Sequence, residues 1–161
     1  MKRLNTLITL LCVIISLCAC QKEPAPSCDF YYLHPADQYS FGAEDGVLAL
    51  ERREIPVEEM PLEELLRLYL EGAVSPDFVS PFPKGTTLER ITMDEGHLWV
   101  FLSEEYASLE DIQKTLAGVC FSRTCFSNCD VQYITIHSGE QSDTYSRSSF
   151  TTFDDSSSES Q

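Results

Sequence analysis

Basic residues are scarce in this chain: 11 lysines and arginines stand against 26 aspartates and glutamates, a formal net charge of −15. Lys2 and Arg3 take two of those cations, so from position 21 onward there are 9 basic against 26 acidic side chains. A surface of that sign repels phosphate backbones and gives no electrostatic hold on anionic lipid headgroups, so nucleic acid is not an expected partner. Histidine is scarce too, limited to His34, His97 and His137. No G-x-S-x-G frame surrounds any serine, and the Lys84-Gly85-Thr86 order lacks the first glycine of a phosphate loop and precedes a strand instead of a helix. There is no C-x₂-C knuckle of the kind structural zinc uses. The acidic pairs Glu58-Glu59 and Glu63-Glu64 read as a solvated helix start, and Asp154-Asp155 with Glu159 fits no calcium loop. No cofactor is expected. Beyond residue 20 there is also no apolar run long enough to span a bilayer.

What the chain does have begins at its start. Lys2 and Arg3 precede the uncharged, mostly apolar run Leu4 to Ala19, which Asn5 and Thr6 shorten to the length of an export signal. Pro24 and Pro26 follow and cannot continue a helix. Leu17-Cys18-Ala19-Cys20 resembles the bacterial lipobox. That resemblance implies cleavage before Cys20 and a thioether from its sulfur to a diacylglycerol with palmitate-type chains. Two acyl chains exceed the single-chain limit for stable anchoring. Residues 1–19 are thus the expected lipoprotein signal peptide, and 20–28 the lipidated N-terminus and short tether. The expected location is the cell membrane, lipid-anchored on its extracytoplasmic face.

The hydrophobic fraction of 43% is enough for one packed domain. DFYYL (29–33) and VLALERREI (47–55) read as strands. Pro61 opens a helix whose Leu62, Leu65, Leu66, Tyr69 and Leu70 form one apolar stripe, with Gly72 at its exit. TLERITM (87–93) and HLWVFL (97–102) read as strands joined by a tight Glu95-Gly96 turn. HLWVFL is apolar on both faces, which predicts a central strand. A second helix is predicted near 108–124, with Ser108 as its N-cap, and a last strand at 130–137. Residues 140–161 are Ser-rich and read mostly as a disordered tail, with one added edge strand around 148–153 left open by Phe150 and Phe153. The order β-β-α-β-β-α-β predicts an α+β fold: a small mixed β-sheet with two helices packed on one face.

DFYYL (29–33), LYLEGAVSP (68–76), PFPKGTTLERI (81–91), HLWVFLSEEY (97–106) and VQYITI (131–136) together resemble the GerMN domain of exported bacterial lipoproteins. The resemblance covers residues 29–139, with the Pro83-x-Gly85-Thr86 turn and Leu102-Ser103-Glu104-Glu105 as its most specific parts. Phe101 departs from it, standing where members usually carry Asp. The resemblance implies a non-enzymatic envelope domain acting through protein–protein contact, linked in some members to sporulation or germination. The expected partners are the membrane, through lipid on Cys20, and an unidentified envelope protein.

Four cysteines remain after the expected processing: Cys28, Cys120, Cys125 and Cys129. Export favours oxidation, and four cysteines allow three pairings. Cys28 would meet Cys129 if their strands were parallel neighbours. Cys120 and Cys125 point roughly 140° apart on a helix, and Cys125–Cys129 across the helix exit competes. Buried free thiols are the other reading. Ser103 at a strand-to-helix junction supplies the alternative function, a surface small-ligand binder or hydrolase. The expectation is that Ser103 and its neighbouring acids serve the helix approach, with no catalytic residue. Phe30, Tyr31, Tyr32, Trp99, Phe101 and Tyr133 read as core or sheet-face packing, some of them available to a partner on an uncovered face.

Overall fold

The computed structural model describes residues 27–36, 46–55 and 60–150. Cys20, the expected signal peptide, Glu58-Glu59, Phe153 and the terminal acids lie outside the described residues. The elements are β1 (Ser27–Leu33), β2 (Leu48–Glu54), α1 (Leu62–Leu70), β3 (Leu88–Asp94), β4 (His97–Leu102), α2 (Glu104–Ala107), α3 (Asp111–Asn128), β5 (Tyr133–Ser138) and β6 (Gln141–Ser146). The α+β class and the β-β-α-β-β-α-β order hold, with the one-turn α2 and the strand β6 added. Ser108 does not start the long helix. It ends α2, its hydroxyl donating to the Glu105 carbonyl at 2.6 Å, because that extra turn is what brings Tyr106 into the core.

The strands form two sheets. β3, β4, β5 and β6 make a mixed four-stranded sheet in that order, with β4 and β5 parallel and β4 interior. Glu95 and Gly96 turn β3 into β4 with both φ angles positive, 46° and 78°, the combination that matches strand twist in a two-residue hairpin. β1 and β2 stand apart as an antiparallel pair, Phe30 opposite Glu51. They do not join the larger sheet because the other edge of β1 is already occupied. Asp29 N–H donates to Asn128 Oδ1 at 3.1 Å, and Asn128 Nδ2 donates back to the Asp29 carbonyl at 2.7 Å. Tyr31 N–H donates to Thr124 Oγ1 at 2.9 Å, while its carbonyl accepts the Tyr69 hydroxyl at 2.5 Å. Leu33 exchanges backbone hydrogen bonds with Val79 at 2.9 and 2.8 Å. Every outward-facing donor and acceptor of Asp29, Tyr31 and Leu33 is therefore paired, as buried backbone must be.

The core lies between the two sheets and the helices. Leu98, Val100 and Leu102 of β4 and Ile134 and Ile136 of β5 face inward, against Leu65 and Leu66 of α1 and Ala117, Phe121 and Cys125 of α3. Tyr69, fully buried, is the ring the others share: its centroid lies 5.5 Å from Phe30, 5.2 Å from Tyr32, 5.3 Å from Phe82 and 5.8 Å from Phe121. Offset and edge contacts at these distances contribute about 0.5–1.5 kcal/mol each beyond area burial.

Glu51 fixes the loop after α1. Its carboxylate accepts the N–H groups of Val74 and Ser75 at 3.0 Å and pairs with Arg53, which donates to the Gly72 carbonyl at 2.7 Å and lies over the Phe30 ring. Burial pushes the Glu51 carboxyl up, but the Ser75 N–H, the Arg53 guanidinium and the Val74 N–H outweigh it and hold the group below its usual range.

The segment from 140 onward was expected to be a tail, and it begins as structure. β6 pairs with β5 from Tyr133↔Ser146 to Ser138↔Gln141, so an added strand lies at 141–146, while residues 148–150 of the expected one are helical and 151–153 lie outside the described residues. Tyr145 fills a notch over Gly118 of α3, where a Cβ would sit 1.8 Å from its hydroxyl oxygen, and Lys114 of α3 pairs with Asp143 at 2.8 Å. Arg147 then donates to the carbonyls of Val131 and Cys129, both at 2.7 Å, and Phe150 packs on Phe126 with ring centroids 5.5 Å apart.

Asn128→Ala strands both Asp29 backbone groups and is expected to cost about 2 kcal/mol, read as a lowered urea midpoint with unchanged slope. Glu51→Gln is expected to cost about 3 kcal/mol at pH 7, since it removes one partner of a nearly buried pair. The sign with pH follows from the lowered carboxyl. The Glu51 contribution is present above the ordinary glutamate value of about 4.3 and is lost as pH falls through the depressed one. Stability measured from pH 7 to pH 3 should therefore fall less steeply at the acid end in Glu51→Gln than in the parent.

Candidate partner-binding face

The alternation of β4 and β5 that sends leucine and isoleucine inward sends a different set outward. His97, Trp99 and Phe101 of β4, with Tyr133, Thr135 and His137 of β5, occupy the other face of the four-stranded sheet. The helices serve the inner face, and the outer rings remain half-buried, with Tyr133 50% exposed. Both apolar faces of HLWVFL are thus accounted for: one is core, and the other is surface.

The outer face is held in place by contacts along and across strands. Trp99 and His97 stack with centroids 4.0 Å apart and planes 10° from parallel, and Tyr133 closes on His97 at 5.8 Å. One register step away, Phe101 and His137 stack at 4.7 Å and 11°, with the Arg90 guanidinium 3.6 Å from the Phe101 ring centre. Between the stacks, His97 Nε2 bonds Thr135 Oγ1 at 2.8 Å, which bonds Thr144 Oγ1 at 2.8 Å. Three strands are thereby linked by polar side chains beneath the rings. Such a face offers aromatic area whose rotamer entropy is already spent, which is how interface hot spots are built. Of the aromatic residues of β1, Phe30 and Tyr32 are core, while Tyr31 is half-buried with the Arg123 guanidinium over its ring.

Ser103 is committed to structure. Its hydroxyl accepts the Thr87 N–H at 2.9 Å, its N–H donates to the Thr87 carbonyl at 3.0 Å, and its carbonyl accepts the Ser138 hydroxyl at 2.7 Å. The same hydroxyl bonds the Glu105 carboxylate and holds that carboxyl below its usual range. His97 and His137 engage Thr135 and Phe101, respectively. The Pro83-x-Gly85-Thr86 turn is structural as well, since the Thr86 N–H and hydroxyl both bond the Pro83 carbonyl, at 3.2 and 2.9 Å, around a Gly85 at φ 95°. Glu63 lies on α1 and pairs with Arg67.

Cys28, Cys120, Cys125 and Cys129 are free thiols. β1 and β5 belong to different sheets, so the strand adjacency that would bring Cys28 to Cys129 is absent. α3 runs unbroken through Cys120 and Cys125. Cys120 Sγ lies 3.5 Å from the Tyr32 carbonyl, and Cys129 Sγ donates to the Cys125 carbonyl at 3.0 Å. Burial pushes every one of the four upward: Cys120 to about 12, Cys129 to about 11, Cys125 well above the usual thiol range, and Cys28 with added repulsion from Asp29. The thiolate is the nucleophile and the metal ligand, so the upward push on these thiols disfavours both roles at neutral pH. Iodoacetamide at pH 7.5 should leave all four unmodified in the native protein and alkylate all four after denaturation without reductant. Two unlabelled sites in the denatured protein, located by mass spectrometry, would contradict the free-thiol arrangement.

The comparisons with known proteins agree with the fold and with the resemblance read from the sequence. A comparison with curated proteins gives no match. Among solved structures, the first GerMN domain of the sporulation protein GerM from Bacillus subtilis superposes with a TM-score of 0.52 at 13% identity, over 72% of this chain and 84% of that one. A Clostridium perfringens protein designated a lipoprotein matches at 13% identity over 76% of this chain and 88% of its own, with a TM-score of 0.43. At 13% identity the likeness to the GerM domain speaks to the fold alone. Residues 29–141, from the third residue of β1 past the end of β5, match the Germane family, described as sporulation and spore germination. The chain belongs to the Germane family of sporulation and spore germination domains.

Proposed function

We propose that the protein is a non-enzymatic, extracytoplasmic lipoprotein that is anchored through lipid on Cys20 and uses the outer face of its four-stranded sheet to bind another envelope protein during sporulation or germination. The observation that carries this reading is the face itself: a tryptophan, a phenylalanine, a tyrosine, two histidines and an arginine, stacked and hydrogen-bonded in place. Membership of the Germane family supports the process, and the Leu17-Cys18-Ala19-Cys20 motif supports the anchor. Among the described residues no helix is long and apolar enough to cross a membrane, which fits attachment by lipid at the N-terminus. The short span between Cys20 and Ser27 keeps the domain within reach of proteins at the membrane surface.

Two measurements test the reading separately. Cys20→Ala is expected to move the protein from the membrane fraction to the soluble fraction; retention on membranes would remove the anchor from the account. A photo-cross-linking residue in place of Tyr133, activated in the native host, should give one discrete protein adduct. Trp99→Ala should abolish that adduct, a loss of about 2 kcal/mol or more in binding, while the folded circular dichroism spectrum is kept. An adduct indifferent to Trp99→Ala would move the contact surface off this face.

A further inference from the structure

The outer sheet face matches itself when turned end over end. Its strand register sets the outward side chains in three rows that cross all four strands. The middle row is Thr92, Trp99, Thr135 and Thr144. On β3, Arg90 and Asp94 stand on either side of that row, a cation at one end and an anion at the other. On β4 the two end positions are Phe101 and His97, and on β5 they are His137 and Tyr133, so each strand has a ring at both ends. β6 has a serine at both ends. A half-turn about the middle row, taken as an axis in the plane of the face, lays Arg90 over Asp94 of a second copy and Asp94 over its Arg90. The same rotation sets Phe101 against His97, His137 against Tyr133, and Trp99 against Trp99. Sheets packed face to face lie about 10 Å apart, close enough for such side chains to meet.

Charge selects the same occupant. Arg90 and Asp94 are both exposed, and neither has an ion-pair partner among the described residues. In a chain with 26 acidic and 11 basic residues, this grid of three rows by four strands holds one of each. Two copies therefore meet here without the net repulsion that so acidic a chain otherwise imposes. A partner of one charge sign would leave either Arg90 or Asp94 unmatched, whereas a second copy matches both. We infer that the outer face binds a second copy of this chain in a two-fold, face-to-face contact, with Arg90 of each copy paired to Asp94 of the other. This contact rests on the sheet-face reading and gives its partner an identity. Four strands of five residues span roughly 19 by 17 Å, which belongs to the small, reversible class of specific contacts. Lipid on Cys20 of both copies would confine them to one membrane and raise their effective concentration there.

Two full-length copies with different affinity tags, expressed together in the native host and solubilised from its membranes in detergent, test the contact. Parent copies should copurify. Arg90→Asp in both copies, or Asp94→Arg in both, sets like charges together at two places and should reduce recovery at least tenfold. Arg90→Asp in one copy with Asp94→Arg in the other sets opposite charges together at both places and should restore recovery, which also shows that both variants fold. Should either variant misfold by circular dichroism, Arg90→Glu and Asp94→Lys take their places. Parent copies that do not copurify would overturn the inference. So would recovery indifferent to the single reversals, or folded reversals that the mixture fails to restore. The Tyr133 cross-link separates this inference from the reading beneath it, since self-association expects an adduct of twice the chain's mass. A Trp99-dependent adduct to a different protein, without copurification, overturns self-association and leaves the sheet-face reading standing. An adduct indifferent to Trp99→Ala overturns both.

Discussion

The outer edge of β1 is paired group by group, and the rest of the fold is arranged around that pairing. A two-stranded hairpin alone is marginal in water, and an open edge is an invitation to further strand addition. Here the edge is closed by Asn128 and Thr124 from α3, by the Tyr69 hydroxyl from α1 and by the backbone of Val79. Because both helices must reach the same strand, they are drawn to the same side of the molecule. The inner face of the four-stranded sheet then closes the core against them. The requirement also explains α3. Thr124 is fully buried on a helix that carries little segregation of apolar from polar residues, because the stripe it shares with Asn128 serves hydrogen bonding to a strand edge instead of packing.

That arrangement leaves the outer face of the larger sheet to function. Helices committed to β1 and the inner face do not wrap around, so the second apolar face of β4 stays part of the surface. Its exposure is tolerable because the rings stack on one another and on histidines, and because Thr135 and Thr144 tie the strands beneath them. Phe101, the departure from the family pattern, sits inside this surface between Arg90 and His137.

Much of the fold was legible before the structure. The β3–β4 hairpin follows from Glu95-Gly96, α1 from its leucine spacing and Pro61, and the central place of β4 from the two-sided apolarity of HLWVFL. Other features were not legible, for reasons that share a cause. The C-x₃-T-x₃-N stripe of Cys120, Thr124 and Asn128 looks like polar interruption in a helix, since nothing local says that a strand edge lies opposite. Glu51 reads as a solvent-facing residue in VLALERREI until the Val74 and Ser75 N–H groups converge on it. QSDTYS has the composition of a tail, and Tyr145 makes it a strand only because Gly118, 27 residues earlier, leaves a notch.

The sequence by itself determined what depends on neighbours along the chain: the acidic charge balance, the lipobox-like order of Leu17 to Cys20, the strand and helix periods, and the turns. The tertiary structure alone decided which edge of β1 is sealed, which face of β4 is surface, that Cys28, Cys120 and Cys125 are buried and Cys129 partly so, and that an arginine-bearing cavity opens beside β6. The physical reason is the range of the interactions involved. Periodicity and turn chemistry act over a few residues and are written locally. Edge pairing and burial join groups up to 99 positions apart, and the partner of each group exists only once the chain has folded back on itself.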